Sequence, residues 1–196
     1  MINYKAIISI IIVIIQISAS LLYIVDTIKG KTKPNRVTYL LWGVLVIAGF
    51  ASLSVQFSWS ALPVLAGGIL PLIIFLCSFV NKNAYWKLKR LDYACGTLAV
   101  LALILWWITN DPLLAILFAV LADLLAGIPT LIKIAKYPET ETKKAYYLYA
   151  IAHTLNLLTI STWILTEFIT PLYLVTFCWL IVAAFYFKRG KHEKTN

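Results

Sequence analysis

The chain has 196 residues, of which 62% are hydrophobic and 13% charged, and a formal net charge of +9. A soluble domain carries roughly 25% charged residues, so a chain this apolar has too little polar surface to face water, and a lipid bilayer is its expected solvent. The cation excess does not point to nucleic acid, because a basic groove needs a water-facing scaffold that these segments do not supply; it is read as orienting the chain in the membrane.

A helix needs about 20 predominantly apolar residues to cross a bilayer core. Seven segments qualify: 4–28, 37–57, 60–80, 91–109, 112–136, 144–167 and 169–187. Ser18-Ala19-Ser20 resembles a cleavage site, but the first apolar run is longer than a signal-peptide core and ends in cations, so an uncleaved span is expected. Ser58-Trp59-Ser60 separates the second and third spans. Thr109-Asn110-Asp111-Pro112 separates the fourth and fifth, with the proline suited to a first helical turn. The last two are expected to meet between Glu167 and Pro171.

The connections after spans one, three and five, and the tail after span seven, carry sixteen of the seventeen lysines and arginines; Lys5 alone lies opposite. Cation-rich connections face the cytoplasm, which predicts an outside N-terminus, an inside C-terminus and an odd number of spans. Cys77, Cys95 and Cys178 lie far apart in or beside apolar runs, without metal-ligand or redox spacing, and read as small buried side chains.

A shift of 104 residues brings Ile28 onto Ile132, Lys29 onto Lys133, Pro34 onto Pro138, Trp42 onto Tyr146 and Trp59 onto Trp163. Spans one to three then overlay spans five to seven, with span four left between them. The predicted organisation is a first triple-helix repeat over 1–80, a linker helix over 81–111, a second repeat over 112–187 and a basic tail over 188–196. Equivalent spans would enter the membrane in the same direction, a parallel repeat about an axis along the membrane normal.

This 3+1+3 chain, with a proline-bearing basic hairpin after the first span of each half, resembles the SWEET and PQ-loop (MtN3/saliva-like) transporter superfamily. Lys33-Pro34-Asn35-Arg36 stands where such proteins carry Pro-Gln, with no glutamine here, and Gly127-Ile128-Pro129-Thr130 resembles the proline-containing end of the fifth SWEET helix. The resemblance implies an all-α membrane carrier working by alternating access on a small polar solute such as a sugar, an amino acid or a vitamin.

Ionisable side chains inside a membrane are rare and usually functional. Asp123 lies about 16 Å from either end of its span at 1.5 Å per residue, near the midplane, and is the candidate for proton coupling or for binding a substrate amine. On span six, Tyr146, Tyr149, His153, Asn156 and Trp163 fall on one helical face. His153 can relay protons and Asn156 can recognise hydroxyl or amide groups. Span one presents Gln16, Ser20 and Tyr23 at the spacing of Asp123, Gly127 and Thr130 on span five, and span two adds Trp42, Gly49, Ser52, Gln56 and Trp59. Spans one, two, five and six are therefore expected to line one aromatic cavity with sparse polar groups. Trp59, Trp106, Trp107 and Trp163 are expected in interfacial belts. Pro63, Gly67, Gly68 and Pro71 on span three, with Gly127 and Pro129, are the hinge or gate candidates, the glycines allowing close helix approach. Asp26 and Asp92 are expected in screened surface pairs, and Glu139 and Glu141 only to moderate the charge of their hairpin.

The expected activity is solute transport across the cell (inner) membrane by a multi-pass protein, with no cofactor or metal. The alternative is a receptor or sorting component using the same cavity without transport. No HExxH, GxSxG, paired midplane carboxylates or Cys/His dyad supports an enzyme. The chain holds both halves of the pseudo-symmetric unit, so homo-oligomerisation is left open rather than required.

Overall fold

Helices form wherever long apolar runs end in residues that satisfy the free backbone groups. The computed structural model describes residues 4–52, 61–160 and 163–187, and every regular element among them is helical. The α-helices are α1 (Tyr4–Ile28), α2 (Arg36–Ser52), α3 (Ala61–Cys77), α4 (Arg90–Ile108), α5 (Pro112–Lys136), α6 (Lys143–Asn156) and α7 (Leu165–Ala184). Short 3-10 turns stand at Lys82–Ala84, Pro138–Thr140 and Leu157–Thr159.

Local chemistry explains the helix ends. Gly30, at φ 72°, leaves α1 through the left-handed region that favours glycine. Asn35 caps α2, its Oδ1 accepting from the Val37 and Thr38 amides at 3.1 and 3.4 Å. In the first turn of α4, Asp92 accepts from the Lys89 amide at 2.5 Å. Asp111 caps α5 by accepting from the Leu114 amide at 2.9 Å, with Pro112 at the first helical position.

The boundary between the last two helices differs from expectation. α6 stops at Asn156, and α7 begins at Leu165, before Glu167. The Thr159 hydroxyl donates to the Asn156 carbonyl at 2.8 Å and to its side-chain oxygen at 3.2 Å. Such side-chain bonds compete with helical ones, which is why a run of Asn and Thr interrupts an otherwise helical pattern.

Among the described residues four helices are long and apolar enough to cross a membrane: Tyr4–Ile28, Arg90–Ile108, Leu113–Lys136 and Glu167–Ala184. Two further apolar stretches, Arg36–Ala48 and Pro63–Cys77, are shorter. α3 packs against both α1 and α2, and α7 packs against both α5 and α6. α1 also meets α6, α2 meets α5, and α4 lies along α5 with a lesser contact to α2.

The cation-rich connections come together at one end, called here the basic end. The Lys33 amide donates to the Thr140 carbonyl at 2.9 Å. The Thr142 hydroxyl donates to Asp26 at 3.0 Å and lies 2.6 Å from the Thr32 hydroxyl. Asn81 donates to the Ile28 carbonyl at 2.8 Å. Asp92 is buried rather than in a screened surface pair, because Asn35 donates to it at 2.5 Å. Arg36 donates to the Ser78 hydroxyl and carbonyl at 3.0 and 2.8 Å and lies over the Phe79 ring at 3.9 Å. The Lys33–Arg36 stretch thus docks the first hairpin onto the connection between α3 and α4.

Candidate functional site: a central cavity closed at the basic end

A cavity of about 700 Å³ runs between the helices. Of the residues singled out from sequence, Gln16, Trp42, Asp123, Tyr149, His153, Asn156, Pro63, Gly67 and Pro71 line it. α3 and α7 contribute as much as the four expected helices, because each lies between the other two members of its group. The lining extends to Pro63, Ala115 and Thr170, in the early turns of α3, α5 and α7 and away from the basic end.

Among the described residues that line it, Asp123 is the cavity's one carboxylate. Its Oδ2 accepts from the Tyr173 hydroxyl at 2.7 Å. The Trp42 indole N–H donates to the Asp123 backbone carbonyl at 3.3 Å, tying α2 to α5 beside the acid. Tyr39, Trp42, Phe177 and Tyr173 form a chain of rings, with centroids 5.5, 6.3 and 5.7 Å apart in turn. Gly127 makes this packing feasible: a Cβ there would stand 2.4 Å from Phe177 and 3.1 Å from Trp42. Gly127 therefore supports the wall from behind.

Tyr39 and Tyr146 form the floor, their hydroxyls 3.1 Å apart. They are separated by 107 positions. The same step carries Gln16 to Asp123 and Trp42 to Tyr149, and all six line the cavity. The Tyr149 hydroxyl lies 2.6 Å from that of Ser20, which is fully buried behind the lining.

Below the floor the structure is sealed. Tyr23 is not in the cavity but beneath it, its hydroxyl donating to Glu141 at 2.5 Å. It lies seven residues, or about 10 Å, further along α1 than Gln16, which is the length that carries it past the floor. Tyr146 also donates to Glu141, at 3.3 Å. Glu141 pairs with Lys133 at 2.6 Å, and the two side chains are 0% and 1% exposed. Lys133 also donates to the Lys33 carbonyl. Glu141 thus does more than moderate hairpin charge: it is the acceptor at the centre of a buried network. A charge pair this deep needs additional hydrogen bonds to offset lost hydration, and the tyrosine hydroxyls and the Lys33 carbonyl provide them.

Several other expectations resolve differently. Trp106 lines the cavity, whereas Trp107 is 81% exposed and Trp163 is also exposed. Gly68 is the close-approach glycine, where a Cβ would stand 2.8 Å from Val46; a Cβ on Gly67 meets nothing within 4 Å. α3 continues through Pro71 and α5 through Pro129, and Pro129 is buried off the cavity. Cys95 and Cys178 are buried and Cys77 is half-buried, all three as free thiols. The Ser52 side chain, Gln56 and Trp59, and the tail 188–196, lie outside the described residues. Among the described residues there is no group of three His, Cys, Asp or Glu side chains that could hold a metal ion.

Tyr39, Tyr173 and Phe177 were not singled out by sequence reasoning. Two of them are on α7, which is apolar on every side, so no periodicity marks its inner face. No family model, curated protein or solved structure matches this chain.

Proposed function

We propose that this chain is an integral membrane carrier, similar in plan to the SWEET and PQ-loop transporters, that moves a small polar solute by alternating access. In this reading α1–α3 and α5–α7 are two triple-helix halves that enter the membrane in the same direction, α4 links them, and the basic end faces the cytoplasm. The observation that carries the reading is the central cavity, sealed at the basic end and walled by residues that recur at a step of 107.

Three further features support it. The groups α1–α3–α2 and α5–α7–α6 share one packing order, and the cross contacts α1–α6 and α2–α5 are what a two-fold axis between the halves would produce. The meeting of the two hairpins at one end fits halves that point the same way. Large apolar side chains such as Leu98, Leu101, Ile104 and Ile108 on α4 face outward, a surface suited to lipid. Solute would enter while the basic end is closed, and rearrangement of the halves would open that end.

The test is exchange of labelled solute into proteoliposomes containing the purified chain, screened over sugars, amino acids and vitamins. Saturable counterflow is the expected result. Saturable binding without counterflow would replace the carrier reading with that of a receptor. Uptake that depends on pH in the wild type and not in Asp123→Asn would assign proton coupling to Asp123; Tyr173 bonds to it, and Cys178, His153, Tyr39, Tyr146 and Tyr149 are the other titratable groups of the cavity wall.

A further inference from the structure

Three acids inside the bundle, Glu141 and Asp92 buried and Asp123 half-buried, are not equally provided for. Glu141 has Lys133 and two tyrosine hydroxyls. Asp92 has the Asn35 amide and the Lys89 backbone N–H. Asp123, in the cavity, has one donor among the described residues, the Tyr173 hydroxyl. The nearest cation along α5 is Lys133, ten residues and about 15 Å away, and it is already committed to Glu141. A carboxylate in an apolar site calls for a positive partner or a proton.

Gln16 is the second observation. It stands at the position on α1 that the 107-residue step relates to Asp123, and it lines the same cavity. It is 4% exposed, and its Oε1 has no hydrogen-bond partner. A buried acceptor without a donor is costly. A proton on Asp123 would leave Gln16 as it is, whereas a ligand bearing several N–H donors can serve both once the Gln16 amide turns its Oε1 into the cavity. The rings supply the third observation. Among the described residues, the chain's own cations lie over Tyr4, Phe79, Tyr85, Trp86, Tyr137, Tyr147 and Tyr186, all outside the cavity. Among the described residues the rings of Trp42 and Tyr173 have no resident cation, and ring faces attract one, Trp most strongly.

We infer that the solute is an organic amine: a monocation with N–H donors on an apolar or aromatic body, its ammonium group held by Asp123 and Gln16 and its body against the rings of α2 and α7. This rests on the cavity being the solute site of the proposed carrier. A sugar would leave the carboxylate without a counter-charge, and an anionic solute would be repelled by it.

The experiment measures binding by the full chain in nanodiscs, in phosphate buffer free of competing amines, to phenethylamine, its neutral analogue phenethyl alcohol, and phenylacetate. The amine is expected to bind at least about tenfold tighter than the alcohol, the factor that a hydrogen bond to a charged group provides, and the acid not to bind. Asp123→Asn should abolish the preference for the amine. Gln16→Leu, which removes an unsatisfied buried acceptor, should fold at least as stably as the wild type and weaken the amine severalfold, and more than it weakens the alcohol. Binding of amine and alcohol within about threefold of each other, a preference that survives Asp123→Asn, or no binding by any of the three would overturn the inference. Counterflow separates this from the carrier reading. An amine that binds but does not exchange sinks the carrier and leaves the ligand class standing. A sugar that exchanges while the amine does not bind does the reverse.

Discussion

Tyr39 and Tyr146 meet hydroxyl to hydroxyl at 3.1 Å, and between them they separate the cavity from the buried network around Glu141. Tyr146 bonds to both sides of that boundary, Tyr39 above and Glu141 below. Tyr146→Phe would remove both bonds while keeping the ring. It is expected to lower stability by about 1–3 kcal/mol, the range for leaving buried partners unmet, and to make the basic end easier to open. Reaction of the buried Cys178, which lines the cavity, with a maleimide applied from the cytoplasmic side of inverted vesicles should be faster in the variant. An unchanged rate would mean that the tyrosine pair does not form the seal.

The ion pair beneath makes a sharper prediction. Removing one member of a buried pair costs about 3–5 kcal/mol because the other charge is left uncompensated. Glu141→Gln should therefore lower the thermal unfolding midpoint in detergent more than any single cavity substitution. The double variant Lys133→Met with Glu141→Leu should recover much of the loss, since apolar replacement of both partners is often neutral. Equal losses in the single and double variants would show that the tyrosine bonds, not the charges, carry the effect.

Gly127 and Gly67 distinguish packing from open space. A methyl group on Gly127 collides with Phe177, which is itself buried, and should cost about 1–3 kcal/mol as overpacking. Gly67→Ala meets nothing and should change the unfolding midpoint little. Comparable midpoints for the two variants would contradict the packing described for α5 and α7.

Asn35 is expected to matter through two bonds at once, the cap on α2 and the amide donated to Asp92. Asn35→Ala should cost about 2 kcal/mol or more, combining a lost cap with an unmet buried carboxylate. Asn35→Asp keeps the cap and places a second negative charge against Asp92, so it should be at least as damaging. Chemical denaturation of the two variants against wild type measures both, and an Asn35→Asp variant as stable as wild type would sink the assignment.

Orientation is open to direct labelling. Asn83 and Asn110 are exposed and lie at opposite ends of α4. In a background lacking the three native cysteines, Asn110→Cys should react with an impermeant maleimide on intact cells, and Asn83→Cys only after permeabilisation. The opposite pattern would invert the proposed topology.

Much of this arrangement was legible in the sequence, and the boundary of what was legible has a physical cause. Helix limits followed from apolar runs and capping residues, except between α6 and α7, where the expected 144–167 ends at Asn156. The polar members of the cavity, Gln16, Asp123, His153 and Asn156, were visible because a polar side chain in an apolar run is itself a signal. Tyr39, Phe177 and Tyr173 were not, since their helices carry large apolar side chains on the exposed as well as the packed side. Glu141 was hidden for a different reason: it lies in a hydrophilic stretch, and only the meeting of two hairpins more than a hundred residues apart buries it. The internal step was read as 104 from matches such as Lys29 with Lys133 and Pro34 with Pro138, which lie at helix ends and in connections. The faces of the helices instead follow the 107 of Tyr39 and Tyr146.

Lys133 and Glu141 both belong to the stretch that begins at α5. The bonds that cross from the first hairpin to the second involve hydroxyls, backbone groups and carboxylate acceptors: Thr32 with Thr142, Thr142 with Asp26, Lys33 with Thr140, Tyr23 with Glu141, Tyr39 with Tyr146. Lys133 reaches across to the neutral Lys33 carbonyl. Parting these bonds would leave the Lys133–Glu141 salt bridge whole on one side. Incoming water could take over each severed contact one at a time, so the latch is of a kind that thermal motion can release and reset.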